Sequence, residues 1–170
     1  MSTSAVLAEL SALERILELG ADHLDVRVVC EVAADPADPA SPKLPVHAIT
    51  LGNASPHVPA AGFFGGVHGL ERIGAEVVIA YLQSLVTRMR WDSTLHRQLE
   101  SVRLVFMPLV NPGGILGGTR ANPAGLDLNR IALVEADDLV RWAVVGQRVR
   151  PNLSLSLIHI TVPTIRTPCS

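Results

Sequence analysis

The chain has 170 residues, 48% hydrophobic and 18% charged, a balance that suits one globular domain and excludes a disordered chain. Its formal net charge of −2 gives no electrostatic reason to expect nucleic acid or an anionic membrane as a partner. The two cysteines, Cys30 and Cys169, are too few and too far apart for a disulfide framework or a cysteine-based metal site. No apolar run reaches the length of a membrane span. Glu9, Glu14 and Glu18 interrupt the opening stretch, where a secretion signal would need an unbroken apolar core. The expected compartment is therefore cytoplasmic, with no nucleic-acid or membrane partner.

Residues 4–19 place Val6, Leu10, Leu13 and Leu17 at helical spacing, with Ser4 as N-cap and Gly20 as stop. LDVRVVCEV (24–32) alternates as a strand, and the proline-punctuated AADPADPASPK (33–43) is a loop. PVHAITLGN (45–53) predicts a second strand closed by a Gly-Asn turn. AAGFFGGV (60–67) is a short buried strand whose glycines admit close approach of backbone or ligand. A helix is expected from Glu71 to Met89, with Ile73, Val77, Tyr81 and Leu85 on one face. STLHRQLE (93–100) reads as a short helix, and VRLVFMPLV (102–110) has the unbroken apolar character of a central strand. Strands separated by helices predict an α/β fold, a mixed, largely parallel sheet flanked by helices. Beyond Asn152 the composition changes: LSLSLIHITVPTIRTPCS holds no acidic residue and one basic one. That segment reads either as a last strand or as sequence foreign to the domain. The expected units are a partial domain over 1–152 and a tail of doubtful origin over 153–170. His23, His47, His57 and His96 lack ligand spacing, and Trp91 and Trp142 read as packing anchors.

GFFGGVHGLERIGAEVVIAYL (62–82) sets His68 and Glu71 where a buried strand ends and a helix begins. In α/β sheets, ligands bind in the crevice beyond the carboxyl ends of strands. Imidazole and carboxylate are both zinc ligands, and a catalytic zinc takes three protein ligands plus water. Gly65, Gly66 and Gly69 would permit the tight turn that brings the two side chains together. Taken alone, the spacing fits equally a Glu71 that favours the helix dipole beside a surface His68. A second stretch, NPGGILGGTRANPAGLDLNR (111–130), is rich in Gly and Pro and is expected as loop, yet it carries two arginines. Arginine's planar fork grips a carboxylate in two-pronged fashion, and Asn129 beside Arg130 adds a neutral donor. Arg120 could instead face a developing oxyanion. The bland alternative is a solvated loop whose arginines pair with Asp127 or Glu135.

The two stretches in this order resemble the zinc carboxypeptidase family, the carboxypeptidase A-like metallopeptidases. GGVHGLERIGAE is similar to the family's H-G-x-E segment, VNPGG to its N-P-D-G turn, and TRANPAGLDLNR to its R-x-N…G-x-D-L-N-R run. The resemblance covers residues from about 44 to 150. It implies the N-terminal part of a carboxypeptidase-like fold, with His68 and Glu71 as ligands of Zn2+. It implies that Arg120 polarises the scissile carbonyl, and that Asn129 and Arg130 hold the substrate's terminal carboxylate. The partner implied is a peptide or amino-acid amide, hydrolysed by metal-activated water.

Three departures accompany the resemblance. Gly113 stands where the family has Asp, and Ile131 replaces the second Asn of N-R-N-F. The third is larger: the family's third ligand, a His ending a later strand, and its distant general-base Glu have no clear counterpart. Glu135 is the only glutamate after Arg130 and follows the loop too closely, and His159 is a weak match for the third ligand. The chain is thus expected to be incomplete, with little hydrolysis of its own. Two other functions share parts of this pattern: a zinc deacylase of N-acyl amino acids, and a non-catalytic module that grips a peptide carboxylate.

Overall fold

A computed structural model describes residues 7–128 and, as backbone, residues 155–159. Its elements run α1 (Ala8–Leu19), β1 (Leu24–Ala33), β2 (Lys43–Gly52), β3 (Ala60–Phe64), α2 (Arg72–Met89), α3 (Ser93–Leu99), β4 (Arg103–Met107), α4 (Pro112–Gly117) and β5 (Leu155–His159). The strands form one sheet in the order β1-β2-β4-β3-β5. The fold class is the expected one, a mixed α/β sheet flanked by helices. β1 and β4 each pair antiparallel with β2, while β4 and β5 each run parallel to β3. In β4, RLVFM is buried almost throughout, as a strand flanked on both edges must be.

The sequence dictates which face of the sheet carries the larger core. Ile49 and Leu51 of β2 and Phe106 of β4 meet Leu10, Leu13 and Ile16 of α1. Ala75, Val78, Leu82, Leu85 and Met89 of α2 and Leu95 and Leu99 of α3 complete this layer. Val46, Ala48 and Met107 form a smaller cluster separate from it. At the ends of the helices, Asp92 caps α3 by accepting from the backbone of Thr94 and Leu95. Gly20 ends α1 as expected, whereas Leu7 precedes it without a side-chain cap, and Ser4 lies outside the described residues.

Four expectations need correction. The stripe Ile73, Val77, Tyr81 does not face the core: each of these is exposed, and only Leu85 of the expected face is buried. The inward face carries Gly74 and Ala75, and these small residues let α2 approach the chain closely at Gly65. A Cβ at Gly65 would meet Gly74 O at 2.7 Å and Ala75 Cα at 2.9 Å. Trp91 is exposed and anchors no packing, and Trp142 lies outside the described residues. β3 ends at Phe64 and leaves Gly65 to Val67 as loop. Finally, the stretch after Asn111 is not all loop. Pro112 at the first helical position, Asn111 accepting from Gly114 N, and Gly118 in the left-handed region (φ 59°) start and stop the short α4.

Candidate functional site

Parallel pairing of β3 with β4 matches Phe64 to Met107, so both strands deliver their following loops to the same end of the sheet. The ladder then continues past the strands. Gly65 N donates to Met107 O at 3.0 Å, Val110 N to Gly65 O at 3.0 Å, and Asn111 N to Gly66 O at 2.9 Å. Gly66 adopts φ +62°, where a side chain would be strained. The buried Asn111 ties the loops again, donating from Nδ2 to Val67 O at 3.3 Å and accepting from Gly114 N at 2.9 Å. Gly69 lies so close to α4 that a Cβ there would collide with the carbonyl group of Gly114 and with Thr119 O.

These contacts bring His68, Glu71, Arg120 and Asp127 together. The His68 ring is buried, with Nδ1 3.0 Å from Glu71 Oε1 and Nε2 3.3 Å from Asp127 Oδ1. Arg120 Nε donates to Asp127 Oδ2 at 2.9 Å, and its Nη1 stands 3.9 Å from Glu71 Oε1. The Arg120 side chain is 53% exposed, so it can meet an incoming group, whereas Glu71 and Asp127 are each 19% exposed. Of the sequence-expected residues, the structure therefore brings together His68, Glu71 and Arg120. Asn129 and Arg130 lie outside the described residues. His159 ends β5, its backbone in register with Phe64.

The sequence offers Asp127 as a partner for the arginines, and the structure gives it a second contact, with His68. Its signal in the sequence is its place in GLDLNR (125–130), within the stretch that carries the family resemblance.

The donor set around His68 suits a shared cation. A neutral imidazole has one N–H and so can donate to only one of two flanking carboxylates. The other nitrogen would then present a lone pair to negative oxygen, and Nε2 indeed makes no aligned hydrogen bond. A cation shared by Nδ1 and Glu71 resolves that conflict and leaves Nε2–H for Asp127, the usual carboxylate–histidine–metal arrangement. With the ring neutral, two carboxylates against one guanidinium also leave the cluster net negative. The fit extends to two ligands. Asp127 faces the opposite ring nitrogen and cannot share an ion with Nδ1. Accordingly, no group of three His, Cys, Asp or Glu among the described residues could hold a metal.

Comparison with known proteins gives the family and the fold. Residues 41–144, more than half of the chain, match the zinc carboxypeptidase family. A stretch of 72 residues is 33% identical to Carboxypeptidase SOL1 of Arabidopsis thaliana, covering 42% of this chain and 15% of that protein. The fold is similar to the crystal structure of a metallo-carboxypeptidase from Burkholderia cenocepacia, with a TM-score of 0.58 and 19% identity. That match covers 78% of this chain and 36% of the other. A Shewanella denitrificans protein assigned to the metallopeptidases gives a TM-score of 0.55 at 22% identity, covering 80% of this chain and 48% of the other. The chain thus spans less than half the length of each.

Proposed function

The chain belongs to the zinc carboxypeptidase family, and from that premise we propose that its site serves a metal-assisted hydrolase that releases a C-terminal amino acid or a related amide. The observation that carries this reading is the buried His68, held between Glu71 and Asp127 at the carboxyl end of β3. His68 through Nδ1 and Glu71 through its carboxylate would hold Zn2+. The chemistry supplied by bound zinc is a water acidified toward neutrality and a polarised carbonyl.

The chain's own residues do the rest. Asp127, 3.3 Å from Nε2, would accept from Nε2–H once Nδ1 holds the metal, and so would fix the ring's tautomer with Nδ1 toward Glu71. Its second oxygen holds Arg120 by Nε, which leaves the guanidinium's remaining donors for a substrate carbonyl that gains negative charge in the transition state. Asn129 and Arg130, by resemblance, take the substrate's terminal carboxylate and so set which bond lies at the metal. Two ligands hold zinc weakly, so metal retention is expected to be low and hydrolysis by this chain slight.

The test is zinc content after dialysis against metal-free buffer, measured by elemental analysis on the wild-type chain and on His68→Ala. The wild type should retain a small, substoichiometric amount of zinc and the variant none. Equal zinc in both would overturn the assignment.

A further inference from the structure

We propose that Glu9 and Arg72 form a clamp that positions Glu71 for metal binding, so that α1 supports the site although it lies far from it in sequence; this rests on the reading of His68 and Glu71 as a zinc pair. Arg72 Nε donates to Glu9 Oε1 at 2.6 Å and Nη2 to Glu9 Oε2 at 2.8 Å. Both carboxylate oxygens are thus engaged by one planar fork, the geometry that fixes orientation as well as distance. The Glu9 side chain is 6% exposed and that of Arg72 51%. An apolar residue at position 9 would serve the core at least as well, because burying a charge costs about as much as pairing returns. The carboxylate therefore adds geometry more than stability.

That geometry falls on Glu71. Glu71 is the N-cap of α2, yet its side chain accepts nothing from the helix backbone, because it is turned to His68. The first turn of α2 is thereby left without a side-chain cap, the condition under which helix ends fray. Arg72, the first helical residue, is tied instead to α1. On the other side, Glu71 N donates to His68 O at 3.0 Å, and Gly69 is wedged against α4. Residues 68–71 are held at both ends, and Glu9 supplies one of the two anchors.

The experiment measures zinc affinity of the full chain by competition with a chromogenic chelator, together with the visible spectrum of the cobalt(II) form. Glu9→Ala is compared with Leu13→Ala, which removes a buried side chain from the same helix without touching Arg72. Loss of a residue that orients a metal ligand costs about 10- to 100-fold in affinity. Glu9→Ala should therefore bind zinc at least about tenfold more weakly, with an altered cobalt spectrum. Leu13→Ala should lose thermal stability and keep both. Affinity in Glu9→Ala equal to wild type, or reduced no more than in Leu13→Ala, would overturn the clamp while leaving the metal site standing. Zinc binding by the wild type no tighter than by His68→Ala would remove the metal site and the clamp with it.

Discussion

Gly69 shows how far the site depends on single atoms. Its φ is not in the left-handed region, so any residue could take its backbone conformation. What forbids a side chain is space: the added Cβ would collide with the carbonyl group of Gly114 and with Thr119 O. Backbone cannot swing aside as a flexible side chain can, so α4 or residues 68–71 must move. Gly69→Ala is expected to cost about 1–3 kcal/mol, the range for forced overpacking, and to lower zinc retention as His68 and Glu71 shift. Gly117→Ala is the control, because its nearest neighbour would be Thr119 Cγ2 at 3.8 Å. Thermal melts and zinc content should separate the two. A Gly69→Ala variant that melts and binds zinc as the wild type does would contradict the packing described for this loop. At Glu9, burial pushes the carboxyl up, but Arg72 and a bond to its own backbone outweigh this and hold it below the usual carboxylate range.

Among the elements, α2 carries two apolar stripes, and only one is buried. Val77 is 44% exposed and Val78 1%, although they are adjacent in sequence and identical in side chain. Val78→Ala removes buried methyl groups and should cost about 2 kcal/mol by transfer and cavity terms together. Val77→Ala should change stability by less than about 0.5 kcal/mol. Denaturant melts on the pair test the orientation of the helix, and equal losses would overturn it. The helix itself was legible, because an amphipathic stretch of eighteen residues repeats its signal many times. Its orientation was not, since Ile73, Val77 and Tyr81 read as apolar a face as Ala75, Val78 and Leu82. The choice depends on close approach at Gly65 and Gly74, a contact between segments that no single stretch encodes. α4 was missed for the opposite reason. Glycine and proline dominate it, and only the placement of Pro112 and Asn111 at its start, with Gly118 at its end, turns that composition into a helical turn.

In the whole molecule, the site arises from strand order. Parallel pairing of β3 and β4 brings the H-x-x-E loop against the arginine-bearing loop, and the motifs had suggested that meeting only through their family resemblance. Asp127, which links the two chemically, was legible in sequence only as a partner for the arginines, because its contact with His68 depends on how the two loops meet. β5 raises the remaining question, because its register sets His159 beside Phe64, at the same end of the sheet as the proposed ligands. Strand addition is weak support for a third ligand. Without β5, β3 would be an edge strand, and backbone pairing there can accept an extended apolar segment of any origin. Residues 153–170 also carry no Glu that could act as base. On the function proposed above, His68 and Glu71 are the ligands and residues 153–170 add none. His159→Ala should then retain as much zinc as the wild type, while His68→Ala retains none. If His159→Ala also loses its zinc, the tail belongs to the site and the metal has three protein ligands, enough for a catalytic centre.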